Sequence, residues 1–544
     1  MKRRYPHKEN VLLVNITRLG DMLQATPTIA GMKEENPQCK ITVLVEKQFE
    51  AVCKIIPCVD EVVGLDLGMT VRSLAREGEG VIDAYEYIDE VVRDLQSRKF
   101  DYVLNMSSSA YTALLLNILG VKQRGGWAAD EQGYRVIESD WARLFASSVF
   151  HTNRVYSSLN LVDVFRCSAD VDKHPHKLVL SVDDKSLEFA RQFIAESSFT
   201  NQGPVVAVQA GASQGKRQWS PARFARFVDE MVQKYQARVI LTGTKKELPI
   251  IEQITKLCSK ENVAVAAGKT SIPELAALLK LSDVLVTGDT GPMHISVAVG
   301  TPVVAMFIAS AFGFETGPYS PGNIVLQPVI ECGPCNPNKS CARPDCHETI
   351  EPEVMAKIVE MRLKGEIQSV PRELVDPSRL VVYRTYFDEF GFYNMEPLNS
   401  SGDRFTRFRN AYRKMWLDDL ADFGMSQSMA GKSALNVMDP SVAALAEVHK
   451  LAEEGVCLIR ELTNLIKDTR SPPAQLREVN EGLNKLDVTI ERTGYHYPEL
   501  GPLARMFVFA KENLCGTEPL DLASQMEEVY RDLGRRSLKL AQYY

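Results

Sequence analysis

Three short segments of the chain combine residue types that could act together on a phosphorylated ligand. In Asn15-Ile16-Thr17-Arg18-Leu19-Gly20-Asp21-Met22, Gly20 permits a tight turn and Asp21 falls where a helix begins. A carboxylate there is either a helix cap or a general base projecting from a strand-end loop. In Gln209-Ala210-Gly211-Ala212-Ser213-Gln214-Gly215-Lys216-Arg217-Gln218-Trp219-Ser220-Pro221, small residues let a ligand approach the backbone, and two adjacent cations suit phosphate. In Thr287-Gly288-Asp289-Thr290-Gly291-Pro292-Met293-His294, a Gly-rich turn opens a helix whose free N–H groups and positive end suit a diphosphate. His294 alone would read as a structural histidine, and its place beside that turn gives it a functional reading.

Two further features bound the chemistry. The Lys216 segment is not a P-loop, because Gly211 and Gly215 are one residue too close and Arg217 replaces the hydroxyl residue that would hold magnesium. Gly268-Lys269-Thr270 lacks the earlier glycine, with Val263 in its place. The second feature is Cys332, Cys335, Cys341 and Cys346, a C-x2-C-x5-C-x4-C cluster followed by His347. Four thiolates so spaced could close a tetrahedral structural site for zinc or iron; unmetallated thiols are the alternative reading.

The elements that must position these segments alternate between strand and helix. Val11 to Val14, Ile41 to Val45 and Asp101 to Asn105 read as strands, with helices at Met22 to Lys33 and Ala84 to Ser97. After a polar stretch at Asp170 to Lys177 the rhythm starts again. Strands are expected at Pro204 to Val208, Arg238 to Leu241, Val263 to Val265, Val284 to Val286 and Pro302 to Phe307. The helices between them are Pro221 to Tyr235, Glu247 to Lys256 and Ile272 to Leu281, with Ile295 to Val299 following the His294 turn. This is an α/β pattern of two doubly wound sheets in tandem, which bind ligands at the carboxyl ends of their strands. From about residue 370 the β signal fades. Val448, Leu451, Gly455, Leu458, Leu462 and Leu465 step by three and four, as do Leu476, Val479, Leu483, Leu486 and Ile490 after Ser471-Pro472-Pro473. An antiparallel helical hairpin is expected there, with another helix from Glu518 to Tyr544.

A chain of 544 residues with 45% hydrophobic and 24% charged residues can bury several cores, and three domains are expected: 1–175, 176–369 and 370–544. The net charge of −7 gives no overall basic field for nucleic acid. Eleven cysteines, mostly scattered, suit a reducing cytoplasm rather than a disulfide framework. The basic residues Lys2, Arg3 and Arg4 are followed by too short an apolar run for an export signal. The longest apolar stretch, Val297 to Phe314, is cut at Gly300-Thr301-Pro302, which argues against a membrane span.

In combination the motifs resemble the family 9 glycosyltransferases, the ADP-heptose heptosyltransferases of lipopolysaccharide synthesis and their relatives. The resemblance covers about residues 10 to 365. It rests on Val14 to Asp21 followed by Thr26-Pro27, on Gly211-Ala212-Ser213 with Lys216, Arg217 and Trp219, and on Leu241-Thr242-Gly243 with Glu247. Thr287 to His294 with Gly300 to Val304 completes it. It implies a GT-B architecture, two Rossmann-like domains facing a cleft, to which the helical patterns beyond 370 add an all-α domain. It implies an inverting transfer of heptose or a related sugar from a nucleotide sugar, ADP-heptose, that needs no cofactor for the chemistry. By the family pattern Asp21 is the base and Lys216, assisted by Arg217, neutralises the leaving diphosphate. Glu247 contacts the nucleoside. Asp289 with Thr290, Gly291, Pro292, Met293 and His294 holds phosphates and sugar, and Thr17, Gly20 and Ser213 complete the donor site. The acceptor is a glycan, glycolipid or protein, and a lipid-linked acceptor implies a cytoplasmic enzyme at the inner face of the inner membrane. The long Leu65 to Ile88 connection and the helical C-terminus depart from the pattern. The latter could dock an acceptor or partner protein or make a homo-oligomer. A protein-directed heptosyltransferase and a non-catalytic nucleotide-sugar-binding assembly protein are the alternative readings.

Overall fold

The computed structural model describes residues 8–421 and 440–544, apart from 77, 131, 150, 151, 342, 366 and 469. The basic residues Lys2, Arg3 and Arg4 lie outside them. The chain forms two compact units: one contains the residues up to Gly125 together with Leu159–Asp403, and the other Gly126–Ser158 with Arg404–Tyr544.

The first unit holds two sheets. In the first, β1 (Asn10–Asn15), β2 (Lys40–Glu46), β3 (Glu61–Leu65) and β4 (Tyr102–Asn105) are parallel, in the order β3-β2-β1-β4. Val11, Leu12, Leu13 and Val14 are all fully buried, as a central parallel strand covered on both faces requires. The next strand, β5 (Gln123–Ala129), runs on into the helical unit, where it pairs antiparallel with β6 (Arg135–Ile137). The chain therefore leaves β1 in one direction for β2 and β3 and returns on its other side as β4. That reversal is the switch point at which open α/β sheets bind ligands, and Asp21 follows β1 directly.

The second sheet repeats the device. Its strands are β7 (Val205–Gln209), β8 (Arg238–Thr242), β9 (Val263–Val265), β10 (Val284–Gly288), β11 (Val303–Met306) and β12 (Ile324–Pro328), then β13 (Leu380–Phe387) and β14 (Tyr393–Pro397). The order is β14-β13-β12-β11-β10-β7-β8-β9, so the reversal lies between β7 and β10. Alternate residues feed opposite faces: Val206, Val208, Val239 and Leu241 enter one core, Val205 and Ile240 the other. Helix Asp184–Glu196 packs on helix Ile272–Lys280 through Ala190 and Ala277 on that second face.

The expected helical character directly after 370 is not what the structure has. β13 and β14 extend the second sheet, antiparallel to β12 and to each other. Their residues, Leu-Val-Val-Tyr-Arg-Thr-Tyr-Phe in β13, are β-branched or aromatic apart from Leu380 and Arg384 and fit a pleated surface. The hairpin is anchored by Asp163 of helix Leu161–Ser168. Fully buried, this carboxylate accepts from Arg166 Nε (2.9 Å), Tyr319 Oη (2.8 Å) and the Tyr393 backbone N–H (3.0 Å). Satisfying a buried charge three times offsets much of its desolvation.

In the helical unit, Pro440–Lys467 and Pro473–His496 form the expected pair, with Val448, Leu451, Gly455, Val479, Leu483, Leu486 and Ile490 buried. Pro519–Tyr543 packs on the first of them. Gly455 is required there, since a Cβ would fall 2.2 Å from the Tyr530 ring. Among the described residues no helix is long and apolar enough to cross a membrane.

Candidate functional site

The site grows from the two switch points, which the first unit brings edge to edge. After β1, helix Leu19–Gln24 begins at Arg18, and Asp21 in its first turn accepts from the Arg18 backbone N–H through Oδ2 (3.3 Å). After β10, helix Gly291–Val299 begins at Thr290 with Pro292 in its first turn. The two helices meet through reciprocal glycines. A Cβ on Gly20 would lie 3.0 Å from His294 Cδ2, and one on Gly291 would lie 2.9 Å from Leu19 Cδ2. Side chains at either position would hold the two strand-end loops apart.

This close approach desolvates both titratable groups. Burial lifts the Asp21 carboxyl above the usual carboxylate range, while the Thr17 side chain, the facing His294 and neighbouring Arg18 act in the opposite sense. Burial lowers His294 to about 4, against a partial restoring effect of Asp21. His294 is 3% exposed and its Nδ1 has no hydrogen-bond partner. Thr17, expected at the donor, bonds to the end of β1. Its hydroxyl donates to Asn15 Oδ1 (2.5 Å), its N–H reaches the same oxygen (3.3 Å), and its side chain also meets Asp21.

On the donor side the loops after β7 and β10 touch because their strands are neighbours, with Val286 beside Val208. Arg217 pairs with Asp289 Oδ2 (3.1 Å) and donates to Ser310 Oγ (2.8 Å), so Arg217 and Asp289 stand together at the reversal. The pair is partly buried, 14% and 13% exposed. Thr290 Oγ1 lies 2.9 Å from Thr287 Oγ1. Glu247, in the Lys245–Glu247 turn that follows β8, accepts from Gln209 Nε2 (3.1 Å) and from the Thr244 N–H (2.7 Å) and hydroxyl (2.9 Å). It lies so close to Gly211 that a Cβ there would fall 1.7 Å from its Oε1. Ser213 is exposed on the same loop, whereas the Met293 side chain is fully buried in the interior.

Lys216 is placed differently from its neighbour. Its ammonium donates to three backbone carbonyls of the Cys-bearing loop: Asn336 (3.0 Å), Pro337 (2.7 Å) and Lys339 (2.8 Å). His347 Nε2 lies 2.8 Å from the Lys216 carbonyl oxygen. The Lys216 ammonium thus ties down the loop that carries Cys332, Cys335 and Cys341. The expected zinc or iron site is not assembled: among the described residues no three His, Cys, Asp or Glu side chains are grouped to hold an ion. The four thiols differ in burial although they lie near enough to act on one another electrostatically. Cys346 packs into the hydrophobic core of the second sheet, Cys335 is half-buried, and Cys332 and Cys341 face solvent, all as free thiols. Burial raises the Cys346 and Cys332 thiols, and the neighbouring cysteines of the cluster act in the same sense.

Three contributors escaped the reading of the sequence: Asn15, Gln209 and Ser310. Only Asn15 carried a local signal, since an Asn two residues before Thr can accept its N–H. Gln209 and Ser310 are brought in by neighbouring strands.

Residues 88–344 match the family model of glycosyltransferase family 9 (heptosyltransferase). Lipopolysaccharide heptosyltransferase 3 of Escherichia coli strain K12 is 23% identical over 292 residues, 54% of this chain and 80% of that protein. The lipopolysaccharide core heptosyltransferase OpsX of Haemophilus influenzae is 25% identical over 319 residues, 57% of this chain and 82% of that protein. In fold, the family 9 glycosyl transferase of Veillonella parvula DSM 2008 superposes with a TM-score of 0.52 at 19% identity, over 65% of this chain and 97% of that one. With two doubly wound sheets meeting at their switch points and these relatives across the same region, the chain has GT-B architecture extended by a helical region and resembles the family 9 glycosyltransferases over about half of its length.

Proposed function

We propose that this enzyme transfers a heptose from ADP-heptose to a hydroxyl of a lipopolysaccharide-type acceptor, with inversion at the anomeric carbon. The observation that carries the reading is the meeting of Asp21 with the Gly291–Val299 helix, which sets a desolvated carboxyl against a diphosphate-suited helix start. The relatives' names, heptosyltransferases acting on lipopolysaccharide, support the sugar and the acceptor class.

In this reading the acceptor oxygen attacks the anomeric carbon as its proton passes to Asp21. The bond from that carbon to the phosphate oxygen breaks, and ADP departs with the electron pair. Negative charge therefore grows on the diphosphate, where fixed cations and N–H dipoles act most strongly. Arg217 beside Asp289 is the cation nearest this role, because the Lys216 ammonium is engaged with three carbonyls. Lys216 would reach phosphate only by exchanging them. Glu247 lies in the turn after a strand next to β7, where a nucleoside would extend from the diphosphate. Transfer to such an acceptor would take place on the cytoplasmic side of the inner membrane. Residues 404–544 would serve acceptor docking or self-association.

Calorimetry with ADP, UDP, GDP and ADP-heptose tests the donor. Adenine ligands should bind, and Arg217→Ala should weaken them at least about tenfold, the loss expected for a charge-assisted contact. Equal binding of all three nucleotides, or none, would contradict the reading.

A further inference from the structure

The connection that follows β3 folds into a helical hairpin turned inside out. Its helices, Leu67–Leu74 and Gly80–Ser97, meet through small residues: Ser73 and Gly80 are buried, and a Cβ on Gly80 would fall 2.1 Å from the Ser73 carbonyl oxygen. The large apolar side chains lie outside, and Val71, Leu74, Val81, Ile82 and Tyr85 are all more than half exposed. Five such residues together make a patch of the kind that marks contact with another molecule. Acid borders it. Glu79, Glu86 and Glu90 are exposed and form no ion pair among the described residues, and Glu86 and Glu90 stand one and two turns beyond Ile82 on the same face. The cations of the hairpin are engaged, Arg72 with Asp66 (3.9 Å) and Arg76 with Asp83, so the border is net negative. Among the described residues, the other exposed large apolar side chains that share a helix face within three turns are Leu114 with Ile118 and Val488 with Tyr495. The first pair lies on a helix, Ala110–Leu119, without a charged residue. The second lies on Pro473–His496, where Lys485, Val488, Arg492 and Tyr495 step by three and four and line one face. Lys485 and Arg492 are exposed and form no ion pair among the described residues.

We propose that these two surfaces bind one another between copies of the chain: the acid-edged apolar hairpin of one molecule takes the cationic apolar stripe from Lys485 to Tyr495 of a second. The charges give the pairing its direction. Hairpin on hairpin, or stripe on stripe, would set like charges together, whereas hairpin on stripe sets opposite ones around an apolar centre. Each copy carries both surfaces, so the contact is made twice in a two-fold dimer or runs on head to tail. The inference rests on the self-association reading of residues 404–544 and is independent of the donor, the acceptor and the base.

Sedimentation equilibrium of the full-length protein tests it. Wild type should rise above the mass of one chain as its concentration increases. One double variant, Lys485→Glu with Arg492→Glu, and another, Glu86→Lys with Glu90→Lys, should each weaken association at least about tenfold through like-charge contact. An equimolar mixture of the two should associate again, because every hairpin then meets a stripe of opposite charge. Tyr85→Ser, which removes apolar area and no charge, should also weaken association, and it decides the matter if a double variant does not fold. Variants that associate as wild type does, or a mixture no better than its components, would overturn the contact while leaving self-association in place. A wild type that stays single at every concentration would remove self-association itself and the contact with it. Transfer to rough lipopolysaccharide lost in Glu86→Lys with Glu90→Lys while its mass matches wild type would give the hairpin to the acceptor and overturn the proposal.

Discussion

The two switch points of the first unit are built alike and furnished in opposite ways. After β1 the chain places one half-buried carboxyl against a buried histidine, and burial favours the uncharged forms of both. After β7 and β10 it places charge openly: Arg217 with Asp289, Lys216 on carbonyls, Glu247 in a cage of donors. A base must gain a proton during the reaction, so a site that resists ionisation strengthens it. A leaving diphosphate must shed charge onto its surroundings, so a site rich in fixed dipoles and cations suits it. The same sheet topology, used twice, thus supports two complementary electrostatic tasks.

Removing either half should expose this division. Asp21→Asn should lower kcat by about 10³-fold, within the usual range for a lost general base, and steady-state transfer assays would show it. Arg217→Ala should cost about 10²-fold and should also weaken ADP, because its partner Asp289 is left without its cation. Lys216→Ala should have the smaller catalytic effect, less than about tenfold. Its main result should be a loosened Cys-bearing loop, read as faster labelling of the half-buried Cys335 thiol. An Arg217 effect smaller than the Lys216 effect would reverse the assignment of the two cations.

The halves should also differ in how protons affect stability. The folded pKa of Asp21 is raised, so its carboxylate opposes folding at neutral pH and the stability it lends is regained as pH falls; Asp21→Asn should therefore unfold at a higher temperature at pH 7. His294 is depressed from 6.5 to about 4, so the unfolded chain takes up its proton first and stability is lost as pH drops through that window. His174, lowered to about 3 by burial, adds a loss of the same sign, so the diagnostic quantity is the difference between wild type and His294→Gln. Denaturant titrations at pH 7 and pH 4.5 should show the smaller acid loss in the variant.

How much of this could be read from the residues differs between the same regions. The alternation of strands and helices, Gly20 beside Asp21 and the Thr287 to His294 turn are local patterns, and each is where the sequence placed it. The contacts of Lys216 and the burial of the cysteines were not legible, because the lysine's partners lie more than a hundred residues away and spacing does not encode burial. Strands β13 and β14 were obscured by the helical seams that dominate the chain beyond them, although the β-branched and aromatic run from Leu380 to Phe387 was a usable signal. That Gly126–Ser158 joins the helices of Arg404–Tyr544 depends on packing between distant segments, and nothing local announces it.

The central claim is that the two switch points divide the work between proton transfer and charge on the leaving group. The most direct test measures ADP binding and heptose transfer from ADP-heptose on the same preparations of wild type, Asp21→Asn and Arg217→Ala. The account predicts that Asp21→Asn binds ADP as the wild type does and fails to transfer, whereas Arg217→Ala is impaired in both. Transfer by Asp21→Asn at a rate near wild type, or unweakened ADP binding by Arg217→Ala, would contradict it.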